Sequence, residues 1–331
     1  MWIRITLCVV LGGCGFRSQA AAGDAPGTSG PGSDAPGSDA GSGAATDCLQ
    51  RWFDGAPGLA FSTPQEIIAT PSNTDDRDPW VSADGLRLYF ARNPGSHGKS
   101  DIYLTTRPSP ADAFATLQAM DNLNTVDDEE RPAPNSDETI LIFSGNHMTG
   151  GAFQLFVSRR IATTDPFPSP SSPDQMLVAT INAVPGGYFD PFLTRSGLKL
   201  YLALGPNGGP AQQIAVATRT STDQNFPASV PVPVISSTSG DANPSVSADD
   251  RIIVFSSRRA PGVGGLGKAN LWYATRQSPA NDFGTPQLIP MVNSNEEDGD
   301  PVLSDDGCEL YFASNRAASG KYHLFHAQMT K

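Results

Sequence analysis

An all-β, five-bladed β-propeller is the fold this sequence predicts, and three observations predict it. A motif recurs five times at intervals of 53, 59, 53 and 57 residues, counted between Pro79, Pro132, Pro191, Pro244 and Pro301. Each copy contains strand-like runs. The last copy stops short of its final strand, and a matching strand stands near the other end of the chain. Fixed-period self-similarity marks a repeat architecture and is read before individual elements.

The copies keep register. Three residues after each proline stands Ser82, Asn135, Thr194, Ser247 or Ser304; five after it, Asp84, Asp137, Ser196, Asp249 or Asp306. Those Asp residues belong to a tight turn, where a short carboxylate can accept backbone N–H bonds. The second strand follows as "LRLYFA", "TILIFS", "LKLYLA", "RIIVFS" and "CELYFA", and the third as "DIYLTTR", "QLFVSRR", "QIAVATR" and "NLWYATR". These runs are rich in Leu, β-branched and aromatic residues, as strands are. Arg107, Arg160, Arg219 and Arg276 each precede a Phe by seven residues (Phe114, Phe167, Phe226, Phe283), and a weaker fourth strand is expected after each Phe. Four antiparallel strands per repeat make a propeller blade. Each repeat proline is expected at the start of the innermost strand, where a missing N–H is tolerated.

The fifth copy ends at "YHLFHAQMTK" without a fourth strand. "FSTPQEIIATPSNTDDRDP" (Phe61 to Pro79) matches "FGTPQLIPMVNSNEEDGDP" (Phe283 to Pro301) without a gap. Phe61–Ile68 is therefore expected to complete the last blade and close the ring, leaving no unpaired sheet edge there. The pattern "DPWVSADGLRLYFAR…DIYLTTR" and its copies resemble the TolB-type, WD40-like β-propeller repeat over about residues 58–331. The turn lacks the Pro usual in that family, and the chain lacks TolB's extra α/β domain and sixth blade, so no TolB-specific role carries over.

Ahead of the propeller, residues 1–13 read as a signal segment: Arg4, a short apolar run from Ile5 to Leu11, then small residues. The run is too short to span a bilayer. "LGGC" (Leu11 to Cys14) resembles a bacterial lipobox, which implies lipidation of Cys14; the alternative is an ordinary signal peptide in which Cys14 is incidental. Residues 14–47 contain a Gly/Ser/Pro/Ala/Asp stretch that cannot bury enough apolar surface to offset its ordering entropy, and is expected to be a disordered tether with a reach of roughly 30 Å. Residues 48–331 form the propeller. The chain is thus expected to be exported and lipid-anchored in a bacterial envelope, with the outer membrane favoured by Gly15 after the lipidated Cys.

Two cysteines remain. Cys308 lies at the turn between the first two strands of blade five, on the face where Phe61 begins the same blade's fourth strand, and Cys48 is thirteen residues upstream of Phe61. A Cys48–Cys308 disulfide is expected, as an oxidising compartment permits.

The net charge of −12 excludes nucleic acid as a partner, since a phosphate backbone needs a basic surface. The loops before the prolines are acidic and deliver Asp78, Arg131, Asp190, Asn243 and Asp300 to equivalent places at the mouth of the central channel. That ring could hold a divalent cation such as calcium through oxygen ligands, a sugar, or a basic peptide; or Asp-Pro could merely shape the strand start while Arg131 pairs with a neighbouring Asp. Five-bladed propellers include glycoside hydrolases, and Asp78, Asp190 and Asp300, with Glu129, Glu130 or Glu297 nearby, could supply the two carboxyls that chemistry needs. Recurrence of the same Asp by repeat symmetry argues instead for structure. The main expectation is a monomeric, non-catalytic head that binds or scaffolds an envelope protein, with no cofactor, no metal and no catalytic residue. A carbohydrate-active or glycan-binding propeller and a cation-dependent structural module are the alternatives. "GVGGLGK" (Gly262 to Lys268) has P-loop spacing but lacks the hydroxyl and the helix that motif requires. His323 and His326, an odd separation apart on a strand, face opposite ways.

Overall fold

The computed structural model describes residues 43–95, 99–147, 152–183, 187–205, 212–260, 262–263 and 267–330. The signal segment, Cys14 and the tether up to residue 42 lie outside them, as does His97. The expected five-bladed propeller is what the chain forms, four blades with four antiparallel strands and one with three. Blade 1 runs Asp75–Val81, Arg87–Asn93, Asp101–Thr106 and Thr116–Ala119 from the channel outward. Blade 3 begins with Tyr188–Leu193, blade 4 with Asp241–Val246 and blade 5 with Asp298–Leu303.

The ring closes as expected. Gln65 and Glu66 pair antiparallel with His326 and Phe325 of the last strand, and Phe61 makes an isolated bridge to Met329. Blade 2 departs from the pattern. After Glu129–Pro134, Ile140–Gly145 and Gln154–Arg159 it has no fourth strand, and short helical turns at Ser172–Gln175, Met176–Val178 and Ala179–Asn182 cover its edge instead. In "FPSPSSP", Ser171 caps the first helical turn and Pro173 stands within that turn, where its missing N–H is tolerated.

Second strands bury both faces, which is why they read as continuous apolar runs. Tyr89 packs into one inter-blade seam, while Leu88 and Phe90 pack into the next. The Arg–Phe spacing is a stack: the guanidinium lies 4.1 Å from the Phe ring centroid in the pairs 160–167, 219–226 and 276–283, and 4.5 Å in 107–114. The turn acids behave as expected, Asp84 accepting from the N–H of Leu86 at 3.0 Å and Asp306 from that of Cys308 at 3.0 Å.

One element departs from the expected tether. Gly43–Asp54 is a helix, begun inside the stretch that composition alone leaves unstructured. Cys48, Leu49, Trp52 and Phe53 share one face at helical spacing and pack against blades 4 and 5. Trp52 is fully buried, and its indole N–H donates to Gly307 O at 2.9 Å. The Cys48–Cys308 disulfide is present, with Cα atoms 5.2 Å apart. Helix and disulfide therefore hold residues 43–54 on the face that carries the turns between first and second strands, opposite the acidic loops.

Candidate active site

Every inner strand carries a bulge at its X–Pro step, seen as a register shift in the first strand pair of each blade. The X residue has a left-handed backbone in all five: Asp78 (φ 53°), Arg131 (58°), Asp190 (54°), Asn243 (52°) and Asp300 (53°). Asn and Asp tolerate that region best among residues with a side chain. The bulge re-aims the side chain, and all five expected residues line one channel cavity of about 40 Å³, walled by their prolines with Trp80, Phe192 and Val302. The recurrence of Asp thus has a local backbone reason. Arg131 does not fit that reason and stands in the left-handed position without the short polar side chain that favours it.

Arg131 lies between the carboxyls. Its guanidinium contacts Asp190 and Glu130 and comes within 3.9 Å of Asp78. Burial alone would lower its pKa, but the carboxylates of Asp190, Glu130, Asp78 and Asp300 outweigh this and raise it well above the usual value. Its positive charge lies among these carboxyls, and among the described residues no group of three or more His, Cys, Asp or Glu is arranged to hold a metal ion.

The acids differ from one another. Asp78 is buried, and that burial, reinforced by the charge of Asp300 and opposed by Arg131, pushes its carboxyl well above the ordinary range. Asp300 is raised too, by burial first, with Arg77 opposing; it accepts the N–H of Asp78 at 3.4 Å. Asp190 pairs with Arg131 and accepts the N–H of Asn243 at 3.2 Å. The side-chain carbonyl of Asn243 accepts from Ser256. Glu130 sits at the rim and accepts from Ser100 Oγ at 2.9 Å.

Two other acids from the same loops serve elsewhere. Glu129 is buried and holds its own loop through Thr125 N–H (2.7 Å), with His147 3.0 Å away. Glu297 pairs with Arg258 at 2.8 Å. His323 bonds Glu66 (2.7 Å) and His326 lies 3.5 Å from Glu309, so the two do face apart. Sequence reasoning misses Arg77 and Tyr322. Arg77 lies 3.3 Å above the Tyr322 ring at the mouth, near Asp300 and Asp78. Register carries a signal for it: Arg77 is the residue before the channel position in blade 1.

No protein-family model and no curated protein matches the chain. Solved structures do. One titled "Glycoside hydrolase" is 10% identical with a TM-score of 0.59, over 86% of this chain and 95% of that one. The catalytic domain of a GH62 alpha-L-arabinofuranosidase from Coprinopsis cinerea is 12% identical with a TM-score of 0.53, over 82% and 97%. TolB from Acinetobacter baumannii matches at 14% identity and a TM-score of 0.43, over 77% of this chain and 55% of its own. At such identities the likeness is one of fold. It nonetheless corrects the expectation of a non-catalytic binding or scaffolding head that is no enzyme. The ring's better fits are propellers named for glycoside hydrolysis, and the symmetry argument against catalysis fails at Arg131, where the repeat is broken among buried acids.

Proposed function

We propose that the chain is a carbohydrate-active propeller that hydrolyses a glycosidic bond at the channel mouth. The observation that carries this is the buried Asp78, its pKa raised, with Asp190 beside it on the same guanidinium. Glycoside hydrolysis needs one carboxyl kept protonated to donate to the leaving oxygen and a second, ionised one facing the anomeric carbon or its water. Asp78, its pKa raised by burial and Asp300, is the proton donor. Asp190, paired with Arg131, is the carboxylate. Asp300 tunes Asp78, and Arg131 contacts both acids.

The test is reducing-sugar release from arabinoxylan, xylan and pectic polysaccharides, and chromophore release from 4-nitrophenyl pentosides and hexosides. Turnover of at least one is expected, with Asp190→Asn lowering it on the order of 100-fold or more. No release from any of them would sink the proposal.

We also read the chain as exported and lipid-anchored through Cys14. The Cys48–Cys308 disulfide suits an oxidising compartment. Attachment on the face opposite the acidic loops would point the mouth away from the membrane. Metabolic labelling with a radiolabelled fatty acid should mark the wild type and not Cys14→Ser; equal labelling would contradict the anchor.

A further inference from the structure

The residue just before each channel position differs in size between blades. Blades 1 and 2 place long charged side chains there, Arg77 and Glu130, whereas blades 4 and 5 place Ala242 and Gly299. The mouth holds two chambers. On the side of blades 1 and 2 a chamber of about 330 Å³ is lined by Asp78, Glu130 and Ser100. Over blades 4 and 5 a second chamber, of about 130 Å³, is lined by Ala242, Gly299, Ser256 and Gln212, with Arg258 and Glu297 among its polar groups. The stacked Arg77 and Tyr322 line both chambers and stand as the wall between them.

Gly299 has no backbone reason to be glycine. Its φ lies outside the left-handed region, and a Cβ built on it meets no atom within 4 Å. Glycine inside a strand forfeits packing and loses more chain entropy on folding than any other residue; it often marks a place another molecule approaches. What its missing side chain leaves here is open space. The groups around that space suit sugar hydroxyls: the Gln212 amide, the Ser256 hydroxyl, and the Arg258–Glu297 pair, which can donate and accept side by side.

Resting on the hydrolase reading, we infer that the chamber over blades 4 and 5 is a second sugar subsite, opened by Ala242 and Gly299. The substrate is then a glycoside of at least two sugar units laid across the Arg77–Tyr322 wall. Its scissile bond lies over the channel, where Asp78 borders one chamber and Asp190 the other. The balance of the reaction is that of hydrolysis: the anomeric C–O bond breaks, the leaving oxygen takes the Asp78 proton, and water supplies the new C–O bond and returns a proton to the acids.

The experiment fills the chamber. Gly299→Leu and Ala242→Leu are compared with wild type on xylobiose, cellobiose and an arabinofuranosyl-xylobiose, each against the corresponding methyl glycoside. Melting temperature and calorimetric binding of the disaccharides are followed in parallel. Wild type should prefer a disaccharide, and Gly299→Leu should cut that preference, as a ratio of kcat/KM values, at least tenfold through KM while melting as wild type does. An unchanged ratio, whether both rates hold or both fall together, overturns the subsite. A wild type that binds disaccharide without cleaving it, with binding lost in Gly299→Leu, keeps the subsite and ends the hydrolase reading. Absence of both binding and cleavage ends both.

Discussion

Five residues with the same left-handed backbone do different chemistry because their neighbours differ. Asp78 and Asp300 are both raised, chiefly by burial, and the charge of Asp300 adds to the rise at Asp78. A carboxyl whose folded pKa lies above its unfolded value of about 3.9 binds more protons in the native state, so it withdraws stability as pH climbs from that value through the raised one. Asp78→Asn should therefore be more stable than wild type at pH 7, and the difference should vanish below about pH 4. Thermal melts across pH check this, and an Asn variant less stable at pH 7 would contradict it. Activity should also fall as pH rises through the Asp78 pKa, since the proton donor is lost. How much of this is legible in the sequence follows from the residue types. The five channel positions can be read from register alone, because Asp-Pro and Asn-Pro recur. That Asp78 and Asp300 are raised cannot, since it depends on burial and on which charges meet across blades. Arg77 is hidden in an acidic run, and its partner Tyr322 comes from the far end of the chain.

At the scale of the elements, the turn between first and second strands shows what a blade asks of its sequence. Its fourth residue is left-handed throughout: Gly85, Glu138, Gly197, Asp250 and Gly307. Glycine is the expected occupant. The two that are not glycine clamp the preceding blade. Glu138 accepts from Arg87 Nε at 2.8 Å and from Tyr89 OH at 2.6 Å, and pairs with Arg160. Asp250 does the same with Lys199, Tyr201 and Arg276. Glu138→Gly would relieve a strained backbone yet leave Arg160 and Tyr89 without their buried partner. A net loss of about 2–4 kcal/mol in denaturant unfolding is expected; a neutral result would show the clamp to be idle. The Asp of this turn and the Arg–Phe ruler are visible in the sequence, but the clamp is a pairing between blades and has no local signature. The missing fourth strand of blade 2 runs against the strand that the other repeats suggest.

For the whole molecule, ring closure is legible in a gapless match between the two ends of the propeller, which fixes the topology from the residues alone. The Cys48–Cys308 pair follows from that topology. The helix before Phe61 does not, because its polar and small residues resemble the stretch preceding it and its apolar face is only one turn deep. Helix, disulfide and closing strand act on the same blade, and the crosslink spans 260 residues of sequence. Cys48→Ser with Cys308→Ser should lower unfolding free energy by about 2–4 kcal/mol, read in denaturant against the oxidised wild type. An unchanged midpoint would mean the closing strand holds the ring unaided. The most direct measurement is glycoside turnover by wild type and Asp78→Asn side by side, on the best substrate of the panel, with both melts recorded. Measurable release by wild type is expected, with a loss on the order of 100-fold or more in the variant and a fold at least as stable. Equal release by the two proteins, or none by the wild type, would contradict a catalytic mouth.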